Sequence, residues 1–509
     1  MMLDQPVLQD PDTMPTLSIL KKILQRLFVD HSSWMMASLM FAFGLFSFFL
    51  GEKIAFNAGL GFDGVLFGRI ARDFYQAVFV LGLDNYFIQR ILPSGVVHLG
   101  LRFFHLNADI PEIVAGFAVY NSCLLLVAVV LWNRIASLLA LKAPARWLGF
   151  IGLFVNFAVL KFYFYYPVLT DVTALVCTLA MLLFFLTNNV LGLVILVVLG
   201  SFVWPTLVYV GAALLIFPKY ETTPRDLPRP YPLVLAAFLT TLLAGVIFYI
   251  NIALQHTFPT GVVIPKLKLL SMFVLLSYAF FAIQGLANNA HFYRFGYLKR
   301  SSSLWRLAVG AALFLGIQLL IKHLSATHTD LFIISLKNLL HLGVRAPLIF
   351  ILGHVMYYGP ILFLFFFFWK PFCRTVHSYG LGLSIVIGFG IMFSLSSEGR
   401  HSTAFLPFFI VFLAKALNEH SLGWKKLLGL GILSLAFSKV WLLINAGLSW
   451  TQDINDTTLL SFPLQRYFMN FAPFMNLEMY LWHGLFASLS FAALYFLFKS
   501  NPSSHKTSG

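Results

Sequence analysis

Charge is scarce in this chain. Of 509 residues only 34 are Lys or Arg and 19 are Asp or Glu, 10% in all, where a soluble domain keeps about a quarter of its residues charged. That shortage excludes a run of ordinary soluble domains. Cysteine is scarcer still. Cys123, Cys177 and Cys373 fall in or beside apolar segments, with no CxxC and no Cys/His spacing, so neither a disulfide framework nor a zinc site follows. The stretch Met1 to Ser32 lacks a short apolar core followed by small residues, and no cleavable leader is expected. No repeat relates the two halves.

Apolar side chains make up 60% of the chain, with 56 Phe among them. Apolar runs recur near the length that crosses about 30 Å of hydrocarbon. The sequence therefore predicts one all-α polytopic membrane domain over residues 33–498, with 1–32 before it and a tail at 499–509. Spans are expected near 33–50, 113–132, 147–164, 168–186, 233–253, 267–286, 305–322, 346–369, 381–396, 403–418, 428–446 and 476–498. The stretch 190–217 is interrupted by Gly200-Ser201-Phe202-Val203-Trp204-Pro205 and reads either as one kinked helix or as two short ones forming a re-entrant hairpin. The total is about 12–14 membrane helices. Leu17 to Phe28 reads as a basic amphipathic helix on the membrane surface.

The net charge of +15 is a topology signal, because its basic residues punctuate apolar runs instead of gathering on a soluble face. No nucleic-acid partner is expected. Arg134, Lys142 and Arg146, and also Arg294, Lys299, Arg300 and Arg306, mark cytoplasmic loops. Counting passes between them favours the hairpin at 190–217 and puts both termini in the cytoplasm. Twelve of the 19 acids then lie on the outer side, including Glu52, Asp63, Asp171 and Glu398.

The outer loop 51–112 is far longer than a connector requires. Leu66, Ile70, Phe74, Ala77, Val78 and Leu81 fall at helical spacing, with Arg69, Arg72, Asp73 and Gln76 opposite. A second amphipathic piece covers Tyr86 to Phe104, with Arg90 and Arg102. Both suit helices lying in the interface. Asp63 precedes the first. It is either an N-cap or a carboxylate held at the boundary as a general base. Asp171 opens an apolar run after Tyr165-Tyr166-Pro167-Val168-Leu169-Thr170, where it is either a cap or a group facing a cavity. In Ser396-Ser397-Glu398-Gly399-Arg400-His401, Glu398 and Arg400 form either a surface pair in a tight turn or, with His401, part of a phosphate clamp. His354 and His483 read as core histidines, Lys161 as a snorkelling side chain, and Asn455-Asp456-Thr457 as a chance glycosylation sequon.

Phe62-Asp63-Gly64, Pro167-Val168-Leu169-Thr170-Asp171, and Glu398-Gly399-Arg400-His401 with Pro407 soon after resemble motifs of the GT-C superfamily of integral membrane glycosyltransferases. The layout matches over about residues 33–420, and His401 stands where tyrosine is usual. The resemblance implies transfer of a sugar from a polyprenyl-phosphate donor to a hydroxyl on a glycan, lipid or protein acceptor at the outer face. Asp63 would be the catalytic base and Asp171 a catalytic or site-shaping group. Arg400, His401, Arg69 and Arg90 would hold the donor phosphate, and Glu398 would shape the acceptor side. A divalent metal between Asp63 and Asp171 is an option and not a requirement. The implied location is a bacterial inner membrane, with the endoplasmic reticulum as the alternative.

Two other classes compete. A polytopic transporter or flippase fits the span count and the broken helices. A membrane O-acyltransferase is suggested by Met479-Tyr480-Leu481-Trp482-His483, although the early Arg and His motif that would accompany it is missing.

Overall fold

The computed structural model describes residues 26–219, 230–254, 256, 261–288, 301–329, 331–420, 422–446 and 474–499. Among them the chain is helical, and the one β-type contact is an isolated bridge between Asp84 and Thr327. The helices are α1 (Ser32–Phe49), α2 (Gly64–Arg72), α3 (Ile91–Phe103), α4 (Ile110–Leu138), α5 (Ala143–Phe154) and α6 (Asp171–Leu186). There follow α7 (Val190–Gly200), α8 (Leu207–Ile216), α9 (Pro230–Phe248), α10 (Lys268–Ala287), α11 (Ser301–Leu324) and α12 (Leu331–Gly343). The last six are α13 (Ile349–Tyr358), α14 (Leu364–Ser378), α15 (Leu381–Ser394), α16 (Leu406–Leu417), α17 (Trp424–Ser438) and α18 (Leu477–Phe498).

Six helices among the described residues are long and apolar enough to cross a bilayer, and seven if a bent pair is joined into one span. The protein is thus a multi-pass membrane protein. The expected count of 12–14 spans is met only in part, because several apolar runs divide into helices of 10–17 residues. The breaks have local causes. The run 147–164 bends by 50° between α5 and the helix Ala158–Tyr165. There the Asn156 side chain donates to the carbonyls of Gly152 and Leu153 and accepts the Val159 N–H, each at 3.0–3.1 Å. One amide closes the first helix and caps the second. The run 346–369 divides at Gly359-Pro360, where Gly359 takes φ +86° and Pro360 has no N–H to continue a helix. In 190–217, α7 and α8 are separate and antiparallel, packed closely enough that a Cβ on Gly211 would lie 2.3 Å from Val197.

The loops gather at two poles. At one, Trp147 Nε1 donates to Phe28 O, Lys415 Nζ to Leu139 O, and Lys142 N to Asn418 Oδ1. At the other, Ile54 N donates to Tyr165 O, Asn85 Nδ2 to Thr329 O, and Glu52 accepts the N–H groups of Ile444 and Asn445. Between the poles the core is packed by large rings, with Trp132, Phe157 and Tyr357 fully buried. In lipid, close packing of this kind replaces hydrophobic gain as the source of cohesion. The leading amphipathic segment, apart from its last residues, lies outside the described residues, as do the sequon and the tail from residue 500.

Candidate functional site

The second pole carries the acidic and cationic motifs. Its first component is the turn before α2. Gly61 has φ +65°, and a Cβ there would lie 2.4 Å from the Tyr166 ring, so only glycine fits the seat. The Gly64 N–H donates to Tyr166 Oη at 3.0 Å. These contacts press the Asp63 turn onto the segment leading to Asp171. Asp63 occupies the N-cap position of α2, yet its side chain makes no capping bond. The capping explanation for Asp63 therefore fails. Its carboxylate is half-buried and lies 3.5 Å from Tyr86 Oη.

The expected single helix after Asp63 is interrupted. Asp73 ends α2 and accepts the Gln76 N–H, and the chain restarts as a wide turn over Gln76–Val80. The amphipathic reading survives that break. Ile70, Ala77 and Val78 are buried while Arg69, Arg72, Asp73 and Gln76 are exposed; Leu81, placed on the apolar face, is exposed as well.

The second component is a fork. Arg400 Nε and Nη2 each donate to Asp171 at 3.1 Å, one to each carboxylate oxygen. The two residues are 229 apart in sequence. Asp171 is fully buried, and the Arg400 guanidinium lies over the Phe162 ring at 5.4 Å. Burial alone would lower the Arg400 pKa, but the Asp171 charge and its hydrogen bonds outweigh that and hold it well above the usual arginine range. The turn that presents Arg400 is braced from below by α13. Tyr358 Oη donates to Gly399 O at 2.8 Å, and His354 Nε2 lies 2.9 Å from Ser402 Oγ.

An aromatic wall joins the two components. Burial raises the Tyr86 pKa, with Arg90 and Arg400 opposing and Asp63 adding to the rise. Burial likewise raises Tyr166, where Asp63 adds and Arg400 opposes. Tyr86 Oη donates to Asp63 at 3.5 Å, and the Tyr166 ring lies 6.2 Å from that of Phe162, over which the Arg400 guanidinium sits. Arg90 is buried, its guanidinium 3.8 Å from the Tyr86 ring centre and 4.6 Å from that of Trp204, a cation–π sandwich.

The remaining predicted residues divide. His401 pairs with Glu398 at 3.5 Å, so of the two readings of this turn the Glu398–Arg400 surface pair is not formed: Arg400 turns inward to Asp171 and Glu398 takes the histidine. Arg69 is exposed in the last turn of α2 and forms none of the ion pairs found among the described residues. Lys161 does not snorkel. It is buried, paired with Glu52 at 2.9 Å and bonded to Leu442 O at 2.8 Å. His354 is a core histidine with both ring nitrogens engaged, and His483 is buried 3.5 Å from Lys439 Nζ.

Sequence reasoning missed the tyrosines and the Glu52–Lys161 network, in which Tyr165 Oη also donates to Asn445 Oδ1 at 2.8 Å. The run Tyr163-Phe164-Tyr165-Tyr166 was the available signal, since consecutive phenols at a membrane boundary need polar partners. Among the described residues no three His, Cys, Asp or Glu gather around one point. Both Asp171 oxygens are engaged by Arg400.

Comparison of the chain with protein-family models, with curated proteins and with solved structures finds no match.

Proposed function

We propose that this polytopic membrane protein is a glycosyltransferase of GT-C-like build, moving a sugar from a polyprenyl-phosphate donor to an acceptor hydroxyl on the non-cytoplasmic side. The observation that carries the reading is a half-buried carboxylate, Asp63, that accepts from Tyr86 Oη in a turn held to Tyr166, whose ring lies 6.2 Å from Phe162, the ring beneath the Arg400 guanidinium. A phosphate ester already contains a good leaving group, so the protein has to position it, neutralise it and take one proton.

In this mechanism Asp63 accepts the acceptor hydroxyl proton as that oxygen attacks the anomeric carbon. The bond from that carbon to the phosphate oxygen breaks, and polyprenyl phosphate departs with the electron pair. A single displacement with one base inverts the anomeric centre. Asp171 serves as a brace. It occupies one edge of the Arg400 guanidinium, leaving the other edge, with Arg90 nearby, for the donor phosphate. His401 and Glu398, held to each other, border the turn on the acceptor side. Arg69 acts on the donor only at long range.

The test incubates purified protein with radiolabelled polyprenyl-phosphate sugars and a membrane lipid extract. Wild type is expected to transfer label, and Asp63→Asn to lose about 10²- to 10⁴-fold in rate, the usual worth of a general base, while retaining donor binding. Turnover by Asp63→Asn at the wild-type rate removes Asp63 from the mechanism. Movement of labelled lipid across a vesicle bilayer without transfer makes the protein a flippase instead.

A further inference from the structure

A cavity of about 550 Å³ lies between α10, α13, α14, α15 and α16. Its wall is mostly ring and aliphatic surface, including Phe350, Trp369, Phe405 and Phe409, and no Asp, Glu, Lys or Arg lines it. Most of its polar side chains are hydrogen-bonded within the protein, and the Trp369 indole N–H, buried and without a partner among the described residues, is an exception. Tyr278 Oη lies 2.9 Å from Ser394 Oγ, His354 bonds Phe350 O and Ser402, and Tyr358 bonds Gly399 O. A headgroup would find no counter-charge here.

Two observations identify the occupant. The α10 residues on the wall, Val274 to Ala282, sit in the middle of the Pro265–Ala287 candidate span, a depth at which hydrocarbon is the material at hand. The rim residues Phe281, Leu348 and Phe366 are at least half exposed, so the mouth opens sideways between α10 and α14. A void of this size facing fluid chains would forfeit dispersion contacts along its whole wall if left unfilled.

We propose that the cavity takes one acyl chain of a bilayer phospholipid, the headgroup remaining in the surrounding leaflet. The chain packs beneath Ser402 and His354 and so supports the underside of the turn that carries Arg400. The site is separate from the charged one above it, and the inference holds irrespective of glycosyl transfer.

Protein reconstituted in phosphatidylethanolamine vesicles containing a phospholipid with a diazirine near the acyl terminus would be irradiated, digested and mapped by mass spectrometry. Adducts are expected on Tyr278, Phe350, Trp369 and Phe405. Ala282→Phe and, separately, Leu362→Trp are expected to reduce them about tenfold by crowding, while adducts on the outward-facing Leu269 and Phe273 stay constant. Two variants on different helices guard against misfolding of either one, and monodispersity in detergent checks both. Adducts spread evenly over exposed residues, or unchanged in both variants, overturn the proposal. Displacement by polyprenyl phosphate but not by excess phospholipid also overturns it and assigns the cavity to an isoprenoid chain.

Discussion

Two buried ion pairs stand at the same pole and are built differently. Asp171 and Arg400 hold each other by a two-bond fork, with side-chain exposures of 1% and 17%. Glu52 and Lys161, at 15% and 10%, share a wider network: Glu52 also accepts the N–H groups of Ile444 and Asn445, both at 2.8 Å, and Lys161 donates to Leu442 O. In the first pair each carboxylate oxygen answers the guanidinium. In the second the charge is divided among backbone donors. The first is therefore brittle to loss of one member, and the second yields gradually. A brittle pair suits a turn that must hold one side chain in one orientation, whereas a distributed one suits the tying of three loops.

The sharpest way to break this comparison is Asp171→Ala. It strands a guanidinium that has little water to turn to, and removing one member of such a pair costs about 3–5 kcal/mol. The midpoint of thermal unfolding in detergent is expected to fall further for this variant than for any other single change at the pole. A loss no greater than that of Glu52→Gln would mean that the fork is weaker than its geometry implies.

Glu52→Gln should cost less, about 1–3 kcal/mol, because the amide oxygen still accepts a backbone N–H while the charge facing Lys161 is lost. Its pH signature sharpens the contrast. Burial raises the Glu52 pKa, but the Ile444 N–H, Lys161 and the Asn445 N–H outweigh it and hold the carboxyl below its ordinary 4.5. With the folded value depressed, the unfolded chain binds more protons as pH drops beneath about 4.5. The stability contributed by Glu52 is present above that value and is lost as pH falls through the folded one. Wild type should lose midpoint below pH 4.5 more steeply than Glu52→Gln, as read from unfolding curves across pH 3–7.

Much of the helical, membrane-embedded character was legible in composition and in the spacing of apolar runs. Places where one polar residue decides the backbone were not. Asn156, in an otherwise apolar run, bends α5 because its amide finds three backbone partners, and hydropathy counts it as a minor interruption. Asp63, Asp171 and Arg400 could be singled out as polar exceptions beside apolar runs. Their partners could not, since a contact between residues 229 apart leaves no periodic trace. The Glu398–Arg400 surface pair, one of the two readings of that turn, is not formed for this reason: the buried Asp171 offers both oxygens to Arg400. Lys161 was misread likewise, because Glu52 lies 109 residues away in a loop whose fold turns on glycine seats such as Gly61.

The smallest expected effect lies at the opposite pole, where Lys142 pairs with Glu419 at 3.1 Å with side chains 64% and 73% exposed. Distance alone ranks this pair with the buried ones. Exposure says otherwise, since water and salt screen it and two long side chains lose freedom to make it. The tie between these loops is instead Asn418, which is buried and accepts the Lys142 N–H at 2.7 Å. Glu419→Gln should leave the unfolding midpoint unchanged within error at both low and high salt, whereas Asn418→Ala should lower it, because the part-buried bond that the buried Asn418 side chain makes to the Lys142 N–H is then lost. A salt-sensitive drop in Glu419→Gln matching that of Glu52→Gln would show that solvent exposure does not order the ion pairs of this protein.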